Sequence, residues 1–199
     1  MNNCYLDAEA VITFFRMTGR KHIFITGSRG SGKSHLVNNM LKHMSDSFNL
    51  LQSHRTDTPQ VVIKSNLVAD NKEFVIGVPR TSGINPASKG NNMTIIEDGF
   101  INCAIPAIDT HLDTTPERLF VIDELGYLES SCIPFQKAVE KLLDNSHVLA
   151  VIRKQSTEFL NRICNRKDVL VIDIDNTFET LSCICLLYTS DAADDLIGV

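Results

Sequence analysis

Eight consecutive residues, Gly27-Ser28-Arg29-Gly30-Ser31-Gly32-Lys33-Ser34, fit the pattern G-x-x-x-x-G-K-[ST]. Glycines in such a loop let the backbone turn tightly and aim successive N–H groups at one anion. A helix starting at its end adds unpaired N–H donors and the positive end of its dipole. Lys33 is then placed to reach the β- and γ-phosphates of a nucleotide, and the Ser34 hydroxyl to ligate Mg²⁺.

A second stretch lies 90 residues after Lys33, where Leu119-Phe120-Val121-Ile122 runs into Asp123 and Glu124. An apolar strand ending in two carboxylates is the Walker B arrangement. Neighbouring strand residues point in opposite directions, so the two carboxylates cannot share one task. Asp123 suits Mg²⁺, directly or through water. Glu124 suits orienting or deprotonating an attacking water, which makes hydrolysis at a γ-phosphate the expected chemistry. That chemistry also calls for a cation near the developing charge. Arg153 follows the next apolar strand at the end where parallel sheets place their sites. Arg166 is an equal candidate, Arg29 lies inside the loop itself, and Lys154 and Lys167 read as solvated surface charges.

These residues need strands and helices to hold them. The run His22 to Thr26 has strand character and stops at Gly27, and Leu36, Val37, Met40, Leu41 and Met44 recur at helical spacing after the loop. An amphipathic helix over 6–18, with Leu6, Ala10, Val11, Phe14 and Phe15 on one face, precedes that strand and is expected to pack on the sheet. Short apolar runs at 50–52, 61–63, 74–76 and 93–96 with turn-rich connections predict an antiparallel hairpin region over about 50–100. The long polar stretch from Gly83 to Asn92 is expected to form a loop near the substrate. Ala104 to Leu112 predicts a helix interrupted near Pro106. Alternation then resumes, with strands at 119–122, 148–152 and 169–174 and helices around 135–143 and 158–164. A Glu158–Arg162 pair stands at i,i+4. Strands apolar on both faces belong in a mainly parallel sheet covered by helices, an α/β fold.

The 199-residue chain is long enough for a substantial core. Residues 185–199, beginning Cys185-Leu186-Leu187-Tyr188-Thr189-Ser190, resemble the in-frame translation of a sequencing-library adapter, so a single domain over 1–184 is expected. That tail carries three aspartates and no basic residue, so the net charge of −5 becomes −2 without it. A balance this near neutral gives no bias toward nucleic acid or an acidic membrane. The remaining cysteines are scattered without C-x-x-C spacing, which predicts reduced thiols rather than zinc or disulfides. No apolar run near the N-terminus is long enough to span a bilayer, and a cytoplasmic protein is expected.

Taken together, residues 22–34, Val121-Ile122-Asp123-Glu124-Leu125-Gly126-Tyr127-Leu128-Glu129, Phe135 to Val139 and Asn165 to Val169 resemble the cancer-related nucleoside-triphosphatase family. The Asp-Glu-Leu-Gly-Tyr-Leu-Glu segment is the most specific part, although many members carry Met before the last Glu. The resemblance covers roughly residues 21–180. It implies a RecA-like P-loop fold and Mg²⁺-dependent hydrolysis of ATP, GTP and other nucleoside triphosphates. By motif position it assigns Gly27–Ser34 to the phosphates, Ser34 and Asp123 to Mg²⁺, and Glu124 to the water. Locally, Gly32 to Leu36 and Ile122 to Leu128 also resemble DNA-associated AAA+ ATPases, but no basic, aromatic-studded stripe accompanies them. A nucleotide kinase needs an arginine-rich lid, and residues 80–118 offer only Arg80, Lys89 and Arg118. A nucleotide-dependent switch shares the same motifs. The residues point to no base preference and no oligomeric state.

Overall fold

The strands around the glycine-rich loop are buried on both faces, and their alternate residues enter two separate cores. The computed structural model describes residues 7–44, 47–80 and 93–176. The Gly83–Asn92 segment and the tail at 185–199 lie outside them.

Eight strands form one sheet: β1 (His22–Thr26), β2 (Phe48–Arg55), β3 (Val61–Ser65), β4 (Phe74–Pro79), β5 (Met93–Ile95), β6 (Leu119–Leu125), β7 (His147–Ile152) and β8 (Val169–Asp173). Their order is β5-β4-β3-β2-β6-β7-β1-β8. The pairs β2–β6, β6–β7, β7–β1 and β1–β8 are parallel, and β3, β4 and β5 continue the same sheet as antiparallel strands. The fold is α/β, a mainly parallel sheet with helices on both faces. The hairpin region does not stand apart: β2 pairs in parallel with β6 on one side and antiparallel with β3 on the other.

One core places Ile23, Ile25, Val121, Leu149, Val151, Leu170 and Ile172 against α1 (Ala8–Thr18) and α2 (Lys33–Met44). The other packs Phe24, Phe120, Ile122, Ala150 and Ile152 under α4 (Ile105–Thr114), α5 (Ile133–Asn145) and α6 (Glu158–Cys164). Neighbouring residues of one strand divide between these cores, which is why the runs are continuously apolar rather than alternating. In α1, Asp7 accepts from the Ala10 N–H at 3.2 Å and Gly19 ends the helix with φ of 64°. It lies on the face with α2, as its apolar stripe predicts.

Pro106 does not interrupt a helix. Helical backbone runs without a break from α3 (Glu97–Gly99) through a π-helical segment (Phe100–Ala104) into α4, and Pro106 sits in the first turn of α4. The wider π turn accommodates the missing N–H and the proline ring, so the helix begins earlier than its apolar spacing indicated. Among the described residues no helix is long and apolar enough to cross a membrane. Cys103 and Cys132 are buried free thiols and Cys164 is a half-buried one.

Candidate active site

In a parallel array, residues following the strands gather at one edge of the sheet. The loop after β1, the Asp123–Glu124 end of β6 and Arg153 after β7 all lie there. One strand, β7, separates β1 from β6. Residues 27–35 share a cleft of about 770 Å³ with Arg55, Glu124, Arg153, Lys154 and Gln155.

The loop holds its shape through short-range contacts. Gly30 and Gly32 take φ of 77° and 92°, a region side-chain-bearing residues rarely adopt. Ser31 donates through N and Oγ to the Ser28 carbonyl at 3.3 and 2.7 Å. Lys33 Nζ donates to the carbonyls of Gly27 and Ser28 at 2.9 and 2.7 Å. The N–H groups opening α2 lack intrahelical acceptors by helix geometry, which suits that end to an anion.

Across the cleft, Arg153 Nε donates to Glu124 Oε1. Asp123 does not line the cleft wall; Gln52 Nε2 on β2 approaches its Oδ2 at 3.4 Å. Burial raises the Asp123 carboxyl above the usual range, and the Gln52 contact pulls the other way. Glu124 and Asp123 thus have different surroundings, although the regular alternation expected of the strand is broken here, where the β6–β7 register shifts between Asp123 and Leu125.

Two residues at this edge, Asp175 and Arg55, escaped the sequence reading, and a third, Lys154, was read there only as a solvated surface charge. Asp175, just past β8, accepts from the Ser28 N–H at 2.8 Å and the Ser28 hydroxyl at 2.7 Å. Lys154 is not a bare surface charge: its Nζ lies 2.8 Å from Asp173 Oδ2 and 3.0 Å from Asp175 Oδ2. Ser28, then Lys154, hold the Asp175 carboxyl below its ordinary range, while Asp173 and Asp175 raise the ammonium. Arg55 enters the cleft because β2 runs three residues beyond the apolar run that announced it.

Arg166 is not part of the site. It precedes β8 and so stands at the opposite edge of the sheet, paired with Asp168 and Asp144 at 2.8 and 2.9 Å. The Glu158–Arg162 pair is present at 3.8 Å, yet Arg162 lies closer to Glu140, at 2.7 Å. Asn176 turns its side chain onto Asp173 at 2.9 Å.

A protein-family profile described as NTPase matches residues 22–180, a span that holds the loop, both carboxylates and every strand of the sheet. The chain belongs to this NTPase family. Relatives include the nucleoside-triphosphatase THEP1 of Thermotoga sp. strain RQ2, 26% identical over 155 residues, which span 77% of this chain and 86% of that protein. The THEP1 of Thermotoga maritima is 23% identical over 154 residues, with 77% and 86% covered. Among solved structures, THEP1 from the hyperthermophile Aquifex aeolicus superposes with a TM-score of 0.60 at 18% identity, covering 80% of this chain and 96% of that one. The solution structure of a human cancer-related nucleoside triphosphatase gives 0.58 at 21%, covering 85% and 98%. At these identities the solved structures show a shared fold.

Proposed function

We propose that the chain hydrolyses nucleoside triphosphates, ATP and GTP among them, to the diphosphate and phosphate with Mg²⁺. The observation that carries this reading is that Glu124 and Arg153 meet in the wall of the cleft lined by residues 27–34. On this reading the loop is the phosphate grip, Glu124 the carboxylate for water and Arg153 the cation, and all three line one cavity.

The donor set suits Mg²⁺. Ser34 offers a hydroxyl and Asp123 a carboxylate, both hard oxygen ligands, and this ion keeps several waters and binds substrate phosphates rather than a cage of carboxylates. The raised Asp123 carboxyl points the same way, since a cation beside it would offset the cost of burying its charge. Bound there, Mg²⁺ would neutralise charge on the β- and γ-phosphates.

The chain's own residues do the rest. The loop N–H groups and Lys33 bind the phosphates, with Lys33 giving up its contacts to the Gly27 and Ser28 carbonyls. Arg153 turns from Glu124 toward the γ-phosphate, which frees the carboxylate. Glu124 orients a water and takes its proton as the oxygen attacks phosphorus. The bond from the γ-phosphorus to the bridging oxygen breaks, leaving the diphosphate and phosphate.

Phosphate release from ATP, GTP, CTP and UTP, measured for the parent and Lys33→Ala, tests this reading. Turnover of at least one triphosphate by the parent and its loss in Lys33→Ala are expected. A parent inert on all four contradicts the reading.

A further inference from the structure

We propose that Glu129 is a positioning residue for hydrolysis, fixing the turn that follows Glu124 at the end of β6 and supports Arg153, by tying Gly126 to Ser53 of β2. The inference rests on the hydrolase reading above and assigns a task to the last residue of the Asp-Glu-Leu-Gly-Tyr-Leu-Glu segment.

Glu129 opens a short 3₁₀ turn (Glu129–Ser131) after β6 and is only 6% exposed. Its Oε2 accepts from the Gly126 N–H at 2.9 Å, and its Oε1 accepts from the Ser53 hydroxyl at 3.2 Å. The Gly126 carbonyl is held as well, by the N–H and hydroxyl of Ser130 at 3.0 and 2.6 Å. The backbone at Gly126 is therefore pinned on both its polar groups.

What is pinned there bears on the reacting groups. The Arg153 N–H donates to the Leu125 carbonyl at 2.8 Å, and a Cβ at position 126 would come within 2.9 Å of Arg153 Cδ. Gly126 thus forms the floor on which the Arg153 side chain lies before its Nε reaches Glu124. A shift of the turn would move both residues. Misplacement of catalytic groups by about 1 Å costs on the order of 10²-fold in rate. Burial raises the Glu129 carboxyl. The donors to the Glu129 carboxyl, its own N–H, the Gly126 N–H and the Ser53 hydroxyl, are all neutral, and a buried polar group so satisfied gives little net stability over a well-packed apolar one. The contacts make better sense as placement than as adhesion.

The test compares Glu129→Ala, Glu129→Gln and Ser53→Ala with the parent, reading kcat, KM, the Kd of a non-hydrolysable ATP analogue and NMR amide exchange at Gly126. Glu129→Ala is expected to lower kcat by about 10- to 100-fold. KM and Kd should stay within about threefold, because the phosphate grip lies on β1 and α2 and is untouched. Exchange at Gly126 should quicken by about tenfold or more as its acceptor disappears. Glu129→Gln should recover kcat to within about threefold, its carbonyl accepting from Gly126 and its amide donating to the Ser53 oxygen. Ser53→Ala should fall between. Parental kcat and exchange in Glu129→Ala overturn the proposal, and so does a Glu129→Gln as slow as Glu129→Ala, which would make charge the requirement. If Glu129→Ala does not fold, an unchanged kcat in Ser53→Ala overturns it. If the parent turns over no triphosphate, the hydrolase reading fails, and slow exchange at Gly126 in the parent against fast exchange in Glu129→Ala still decides whether Glu129 fixes the turn.

Discussion

Arg153 Nε donates to Glu124 Oε1, joining the end of β7 to the end of β6 inside the cleft that the glycine-rich loop lines. The two residues are 29 apart in sequence and come together because β6 and β7 are parallel neighbours. In the proposed reaction the guanidinium moves from this carboxylate to the γ-phosphate, so one residue both restrains the base and answers the substrate. Arg153→Ala should lower kcat by about 10³-fold, the low end of what an arginine at a transferring phosphoryl group contributes. Arg153→Lys should recover little, because a point charge does not reproduce the planar fork. Steady-state kinetics check this, and an unchanged kcat would pass the role to Arg55, Arg29 or Lys154, which line the same cleft.

Chelation should abolish turnover, and Mg²⁺ should restore it. Ser34→Ala removes one oxygen ligand, so the Mg²⁺ concentration for half-maximal rate should rise by about tenfold or more, by analogy with losses at metal sites. Phosphate release titrated with Mg²⁺ in parent and variant measures the shift. Coincident titration curves would remove Ser34 from the metal site.

The glycine-rich loop, the Asp-Glu strand end and the succession of strands along the chain were legible because each is a local pattern: glycines at fixed spacing, an apolar run, a turn. Contacts between distant segments were not. Ser28 and Asp175 are 147 residues apart, and nothing in either neighbourhood announces the other. Glu129 stood out in its motif, but its purpose needs Ser53, 76 residues away in sequence and brought near by the pairing of β2 with β6. Arg166 and Arg153 looked equivalent as basic residues near strands. Chain direction separates them, since Arg166 comes before its strand and Arg153 after, and that signal lay in the sequence. Arg55 was missed because β2 loses its apolar character after Leu51 while its backbone pairing with β3 continues to Arg55.

Acid stability should depend on His22. Its ring is fully buried on β1, with Nε2 3.4 Å from Asp168 Oδ2, and burial lowers its pKa to about 4 despite that carboxylate. The unfolded chain protonates near the ordinary value of about 6.5, so below that pH it binds a proton the folded chain refuses. Stability therefore falls as pH drops from about 6.5 and the loss levels off below the folded value, amounting to about 3 kcal/mol. Urea unfolding at pH 7.5 and pH 4 for the parent and His22→Leu reads it out. The variant should gain on the parent by about that amount at the lower pH, and an equal difference at both values would contradict the assignment.

The central claim is that Glu124 handles the attacking water. The most direct measurement pairs phosphate release with nucleotide binding in Glu124→Gln, an isostere that keeps the hydrogen-bonding shape and loses the negative charge. Turnover should fall by about 10²-fold or more, the usual contribution of a general base, while the Kd of a non-hydrolysable ATP analogue stays close to parental. Phosphate release at the parental rate from Glu124→Gln would contradict the account.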